Sequence, residues 1–354
     1  MSSLLRVGTR ASALALTQTE QVAAALTTAG LRVELVRISS RGDIDPSPLV
    51  DLAGRMAGAG IFTSALRDAL LAGEIDVAVH SLKDLPVETP EGLVLAAVPA
   101  RADSADLLIT LDGRGLADLP AGARIGTGSP RRGALLRAAR PDVEVVPVRG
   151  NVDTRLGLLE GWNGRDRLDA VVLAAAGLSR LGREVRAERL VAPVMLPAPG
   201  QGALAVEMRA GHPALADVAG LDDVQTRRCV CAERAVLARL GAGCTAAVAA
   251  LAEPAAAEQG RPARGTPDSD QARLLLRAVV LAVDGSRRSS AEAIGPAAEP
   301  ERLGYTVGDQ LLAAGAAELL ADVHGPDQFH RDLPESDLSQ QSRETHPRHR
   351  ERAT

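Results

Sequence analysis

The sequence predicts an α/β protein with mainly parallel sheets, joined to a smaller α+β module toward its C-terminal end. Three observations carry this. Through the first two-thirds of the 354 residues, short apolar runs alternate with helical patterns, the alternation that builds strand–helix–strand units. The junctions after the strands repeatedly hold cations beside small residues. From about Val218 the alternation gives way to one long helical pattern followed by a strand-like run. The length suggests two or three domains, at roughly 100–200 residues each.

Taken in order, Leu4 to Val7 is a short apolar strand, and Gly8-Thr9-Arg10-Ala11-Ser12 is the loop that leaves it. Leu14 to Ala29 is a helix stopped by Gly30, a residue suited to the left-handed position after a helix. Arg32 to Ile38 is the next strand, Phe62 to Leu71 a helix closed by Gly73, and Asp76 to His80 a strand. The chain changes region around Ala100 to Ala105. Arg124-Ile125-Gly126 then leads into Thr127-Gly128-Ser129-Pro130-Arg131-Arg132 and a helix to about Ala139, with Pro130 suited to the first helical turn. Val143 to Val148 is a strand, Arg149-Gly150-Asn151 a loop, Val152 to Glu160 a helix and Leu168 to Ala174 a strand. Pro197-Ala198-Pro199-Gly200-Gln201-Gly202 marks a second transition. Beyond it come a helix through Cys229 to Leu240, a strand from Leu274 to Val283 and a helix around Gly308 to Leu320. Glu253 to Asp270, rich in Pro, Gly and Ala, is expected to be a loop, and the polar stretch from His324 to Thr354 a disordered tail.

Composition narrows the function. Aromatic residues are limited to Trp162, Tyr305, Phe62 and Phe329, and the net charge is −5, so base stacking and a basic nucleic-acid footprint are both missing. No run reaches the ~18 apolar residues of a membrane span, and Met1 to Arg6 does not resemble a secretory signal. Three cysteines, Cys229, Cys231 and Cys244, form no disulfide framework. A reduced, cytoplasmic protein is expected. Four of the six histidines lie in the polar tail, leaving His80 and His212 too isolated to suggest a metal site.

The charged loops point to a polyanionic small molecule. Arg10 with Ser12, Lys83, Arg131 with Arg132, and Arg149 with Arg155 all follow strands, where ligands of such sheets bind near helix N-termini. Arginine's planar fork matches a carboxylate or phosphate in bidentate fashion. Each arginine taken singly is equally a solvated surface charge. Lys83 is the only lysine among 40 Lys and Arg residues, a compact ammonium that arginine cannot replace. Asp84 follows it directly and is placed inside the basic cleft, either to stabilise a developing cation or to hold the loop by a salt bridge. Cys244, in Gly241-Ala242-Gly243-Cys244, is either a small buried hydrophobe or a sulfur with room for an attached group. Gly126-Thr127-Gly128 lacks the ending of a nucleotide phosphate loop.

Several stretches resemble the porphobilinogen deaminase (hydroxymethylbilane synthase) family, from about Leu5 to Val323. They are Thr9 to Leu16, Ser40-Arg41-Gly42-Asp43, Val77 to Pro86, Gly126 to Arg132, Arg149 to Arg155, Leu196 to Gly202, and Ala232-Glu233-Arg234-Ala235 before Gly243-Cys244. The resemblance implies two lobes like those of periplasmic binding proteins, residues 1–100 with 197–217 and residues 101–196, with a cleft between them. It also implies an α+β domain, 218–323, carrying a dipyrromethane cofactor covalently on Cys244. Asp84 is implied as the catalytic carboxylate. Arg10, Ser12, Ser81, Lys83, Thr127, Ser129, Arg131, Arg132, Arg149, Gly150, Arg155 and Arg180 are implied to bind the carboxylates of substrate and cofactor. Gln201 is placed in the cleft, and Arg55 and Phe62 in a lid.

The implied reaction joins four porphobilinogens head to tail on the covalent primer, with loss of ammonia, and then releases the linear tetrapyrrole by hydrolysis. Each loss of ammonia leaves an electron-poor carbon whose positive charge a carboxylate can stabilise. The implied enzyme is a monomeric transferase of haem biosynthesis, with hinges near Ala100 and Val194 to Pro199. Three positions depart from the family pattern: Ala59 replaces a lid lysine, Ala247 a proline, and Pro130 a leucine. A two-lobed anion binder would use the same arginines without needing Asp84 or Cys244. A nucleotide-dependent transferase would need a phosphate loop and metal-binding carboxylates.

Overall fold

The computed structural model describes residues 4–38, 60–161, 167–243, 246–255 and 272–321, with backbone alone for 60–62. The first run comprises β1 (Leu4–Thr9), α1 (Ala13–Thr28), β2 (Arg32–Arg37), α2 (Gly60–Leu71), β3 (Val77–Ser81) and β4 (Leu93–Ala97). The middle run comprises β5 (Asp106–Ile109), β6 (Arg124–Gly126), α3 (Pro130–Ala139), β7 (Glu144–Val146), α4 (Val152–Gly157), β8 (Ala170–Ala174), α5 (Ala175–Arg180) and β9 (Ala187–Leu190). Then follow β10 (Leu204–Arg209), α6 (Leu215–Ala219), α7 (Val224–Leu240), β11 (Val248–Pro254), β12 (Arg273–Leu281), β13 (Arg288–Pro296), α8 (Pro300–Ala313) and α9 (Ala316–Ala321).

Two five-stranded sheets repeat one plan. The first has the order β2-β1-β3-β10-β4 and the second β7-β6-β8-β5-β9. In the first, β10 runs antiparallel to both neighbours while the other pairs are parallel, so one strand opposes four. In the second, β5 is the single reversed strand. The reversed strand is in each case the first one formed after the chain passes from the other sheet. The fold is therefore two mainly parallel mixed α/β sheets, followed by a three-stranded antiparallel sheet, β11-β12-β13, with helices.

Local sequence explains the element ends. Ser12 caps α1 by accepting from Ala15 N at 3.3 Å, and Ser129 caps α3 with Pro130 in the first turn. Asp223 caps α7 by accepting from Thr226 N at 2.7 Å. Packing then fixes the layers. Leu5, Val7, Val77, Val79 and Val206 of the first sheet bury against Val22 and Leu26 of α1. Leu108, Ile125 and Val172 of the second sheet share a core with Leu136 of α3, and that core continues into Ala247, Ala249, Val279 and Leu281. The other face of β12, through Leu276, Ala278 and Val280, packs on Val236 of α7 and Val307 of α8. β12 is buried on both faces only from Ala278 to Leu281, where its sequence is continuously apolar; Arg277 interrupts the run before it.

Several boundaries move from the sequence reading. Glu253 and Pro254 are not loop: they pair with Leu275 and Leu274 at the end of β11, because the register of that hairpin outruns the local Pro signal. The helix expected around Gly308 begins at Pro300 and breaks at Gly315, whose φ is +86°. The helix from Val152 ends at Gly157 rather than Glu160, and the strand from Val143 is reduced to Glu144–Val146. The reversed strands β5 and β10, and also β4, β9, β11 and β13, carry no alternation strong enough to mark them in the sequence. Ser40 to Asp43, Arg55, Ala59, Cys244, most of the 253–270 loop and the 324–354 tail lie outside the described residues, as does the Phe62 side chain.

Candidate active site

The strands of both sheets end at loops that meet across two chain crossovers, 98–105 and 191–203. These segments run side by side: Ala102 N donates to Gly202 O at 3.2 Å, and Arg101 Nε donates to Gln201 O at 2.7 Å. Gly202 has φ +88°, and a Cβ there would lie 2.5 Å from Ala102 O, so only glycine allows this approach. The chain leaving β3 is tied to the same place by Leu82 N, which donates to Ala203 O at 3.0 Å.

β3 ends in Ser81 and passes into a single 3₁₀ turn, Leu82–Asp84. Leu82 is fully buried and anchors the turn, Lys83 is half-buried and Asp84 is exposed. Ser81 Oγ accepts from Gln18 Nε2 of α1 at 2.9 Å. Lys83 Nζ donates to Gln201 Oε1 at 3.2 Å. Burial and the neighbouring Arg132 and Arg131 lower the Lys83 ammonium to about 8, against the opposing pull of Asp84 and Asp106.

On the second sheet, Thr127 is buried at the end of β6, and its Oγ1 accepts from Ser129 N at 3.2 Å. Arg131 and Arg132 are 3 % and 5 % exposed, so they are not the solvated loop cations that sequence alone allows. Both converge on Asp106. Arg132 donates to Oδ1 through Nε (3.0 Å) and Nη2 (2.7 Å), and Arg131 Nη1 lies 2.8 Å from Oδ2. Arg132 Nη1 donates to Val172 O at 3.0 Å, and the same Nη1 of Arg131 donates to Leu196 O at 2.6 Å. The two arginines hold the Asp106 carboxyl well below the usual carboxylate range despite its burial. Arg155, in α4, is half-buried; burial and the charge of Arg132 lower its pKa, while Asp84 pulls the other way. Arg180 donates from Nη2 to Gly202 O at 2.8 Å. Arg149 and Gly150 are exposed, Gly150 with φ +107°. Arg10 and Ser12 stand at the start of α1, whose Leu14 approaches Gly177 of α5, so the two halves also touch there.

The third sheet's helix α7 holds this arrangement from behind. Glu233, 0 % exposed, accepts from Arg101 Nη1 (2.6 Å), Arg101 Nη2 (3.1 Å), Gly200 N (2.7 Å) and Ala252 N (3.0 Å). One carboxylate therefore ties both crossovers to the third sheet. Cys229 and Cys231 are poor nucleophiles, their thiols pushed up by burial to about 12 and about 11. Asp106, Arg101 and Gln18 were not singled out in the sequence reading. The one signal for Asp106 was an acidic residue opening the apolar run Leu107 to Ile109.

Residues 5–217 match the family model described as "Porphobilinogen deaminase, dipyromethane cofactor binding domain", and residues 227–313 match "Porphobilinogen deaminase, C-terminal domain". The chain belongs to the porphobilinogen deaminase family. The porphobilinogen deaminase of Cutibacterium acnes is 48 % identical over 336 residues, covering 90 % of this chain and 97 % of the relative. Those of Nocardia farcinica (46 % over 348 residues, 96 % of each chain) and Acidothermus cellulolyticus (48 % over 339 residues, 92 % and 95 %) are similarly related. Among solved structures, the methionine-binding protein MetQ aligns at 12 % identity and TM-score 0.37, over 62 % of this chain and 89 % of that one, a likeness too weak to bear on function. Porphobilinogen deaminase activity in tetrapyrrole biosynthesis follows from the family, with porphobilinogen as substrate. Among the described residues, no helix is long and apolar enough to cross a membrane.

The donor set suits the family's dipyrromethane, a group bearing several carboxylates. Arg131 Nε, Arg155 Nε and Arg180 Nε are buried with no hydrogen-bond partner among the described residues. Such unpaired guanidinium N–H groups are costly to bury and are satisfied by anionic oxygens.

Proposed function

We propose that Asp84 is the catalytic carboxylate and that Cys244, in the third domain, bears the cofactor. Carboxylates of substrate and product chain are then bound by Lys83, Arg10, Arg131, Arg132, Arg149, Arg155 and Arg180 with the capping hydroxyls of Ser12 and Ser129. The observation that carries this reading is the convergence of the two sheets' loops. Lys83 and Asp84, in the turn after β3, lie near enough to Arg132 at the start of α3 and Arg155 of α4 for their charges to act on one another. The assigned units are residues 1–100 with 197–217, residues 101–196 and residues 218–323, acting as a cytoplasmic monomer with hinges at the two crossovers.

When bound, the dipyrromethane supplies the pyrrole carbon to which the first substrate is joined. The chain's own residues perform the rest. The cations orient the substrate's acetate and propionate, so that its aminomethyl carbon lies toward Asp84. As the C–N bond breaks and ammonia leaves, Asp84 faces the positive charge that spreads over the substrate's pyrrole. The same carboxylate is placed to hold the pyrrole N–H and take up the proton displaced when the new C–C bond forms. Lys83 and the arginines offset each added pair of substrate carboxylates, which explains a cationic cleft in a chain of net charge −5.

Intact mass under denaturing conditions, combined with turnover, tests these roles. A mass excess of two linked pyrroles that disappears in Cys244→Ser, and an Asp84→Asn variant that keeps the excess while losing roughly 10²–10⁴-fold in kcat, are expected. A bare-chain mass that persists after incubation with porphobilinogen would sink the attachment assignment, and near-normal kcat in Asp84→Asn the catalytic one.

A further inference from the structure

Asp106 belongs to none of the groups assigned above, yet four side-chain contacts end on it. It opens β5, the first strand after the crossover, and is 1 % exposed. Besides Arg131 and Arg132, Gln201 Nε2 donates to its Oδ1 at 2.8 Å. The same Gln201 Nε2 donates to Ser104 O at 2.7 Å, and Gln201 Oε1 accepts from Lys83 Nζ at 3.2 Å. A single buried carboxylate is thus joined directly to the second sheet's helix α3, and through one fully buried amide to the loop that ends in Asp84.

Consecutive helical residues point about 100° apart, and two guanidinium groups repel. Arg131 and Arg132 nevertheless meet at one point, because Asp106 draws both to its two oxygens. Two cations on one anion leave a net positive charge for an incoming carboxylate, while the guanidinium planes are already fixed. Burial of such a triad is a poor source of stability in itself, so its value lies in geometry.

We infer that Asp106 is a positioning residue for the reaction: it converges Arg131 and Arg132 and, through Gln201, fixes the lysine that precedes Asp84. This rests on the substrate-binding roles proposed above for those three cations. The charged groups acting on Lys83 are Asp84 from its own turn, Arg131 and Arg132 from α3 and Asp106 from β5. Removing the charge of Asp106 leaves Asp84 alone of these groups to oppose the two arginines beside the ammonium, which then gives up its proton more readily.

Because Lys83 is the only lysine, reductive ¹³C-methylation of the holoenzyme marks only this side chain and the α-amino group, and carbon NMR follows its titration directly. In Asp106→Asn, an isosteric change, the Lys83 midpoint is expected to fall by about one unit, a tenfold change in proton affinity. The alkaline limb of kcat/KM should move with it, through KM more than kcat. Asp106→Glu should restore part of both. A residue that merely supports the fold would lower kcat/KM equally at every pH. An unmoved Lys83 midpoint with a uniform loss would overturn the inference. Should Asp106→Asn fail to fold, Gln201→Met removes the amide that joins Asp106 to Lys83, together with its bond to Ser104 O, and leaves both arginines on Asp106; the midpoint must again fall. A wild-type protein without turnover would defeat the functional reading, while the Lys83 titration would still decide the positioning one.

Discussion

Arg234 of α7 donates from Nη1 to the backbone oxygen of Leu85 at 2.9 Å, one residue beyond Asp84. Its Nη2 reaches Pro86 O at 2.8 Å and Val87 O at 3.2 Å. The third sheet's long helix thereby holds the loop that carries the proposed catalytic carboxylate. Leu85 and Leu82 of that loop pack on Val230, one turn earlier on the same helix.

Replacing Arg234 with Met keeps much of the side-chain volume and removes three charge-assisted hydrogen bonds to carbonyls. Each is worth roughly 1.5–3 kcal/mol when the partner is left buried, less where water reaches it. Lower thermal stability and a fall in kcat of about tenfold are expected, with the covalent adduct intact by mass. A variant that melts lower but turns over normally would show that the loop does not depend on this clasp.

The ammonium of Lys83 sets a pH dependence with two opposite signs. Its pKa is lowered from 10.5 to about 8 by burial and by the arginines. Below about pH 8 the folded protein carries the charge; as pH rises through 8 the charge is lost, and substrate binding should weaken. Between about 8 and 10.5 the unfolded chain still binds the proton that the folded chain has released, so this site's contribution to stability rises with pH. KM measured from pH 6.5 to 9.5 should therefore climb through the region where this contribution to stability grows. Lys83→Arg, always charged, should flatten the KM profile; an unchanged alkaline rise would assign it to another group.

Glu233→Gln tests the junction of the crossovers. The carboxylate accepts four hydrogen bonds, two of them from Arg101, and an amide cannot accept at its nitrogen. The change leaves Arg101 with half its partner in a buried setting, a loss of about 3–5 kcal/mol. Calorimetry should show a large drop in melting temperature. If stability is little affected, the crossovers are held chiefly by the backbone pairing of Ala102 with Gly202.

Much of the proposed site was legible in the chain because the residues assigned to it lie in short contiguous motifs. Lys83 and Asp84 sit together after the apolar run Val77 to Val79, and Ser129, Arg131 and Arg132 sit together around Pro130, which marks the start of α3. The reversed strands β5 and β10 were not legible. Their hydrophobic runs are short, and their place in the sheet depends on partners on either side from distant parts of the chain, as Asp106 pairs with both Ala174 and Leu190.

The sequence by itself determined the family, the alternation of strands and helices, and the set of cations available to a polycarboxylate. Only the tertiary structure decided how those cations are held. Asp106 meets Gln201 across 95 residues, Arg101 meets Glu233 across 132, and Arg234 meets Leu85 across 149. Periodicity and local motifs record what a residue does for its own helix or strand. Which buried charge neutralises which other depends on the crossovers that bring the two sheets together, and no local pattern encodes that distance.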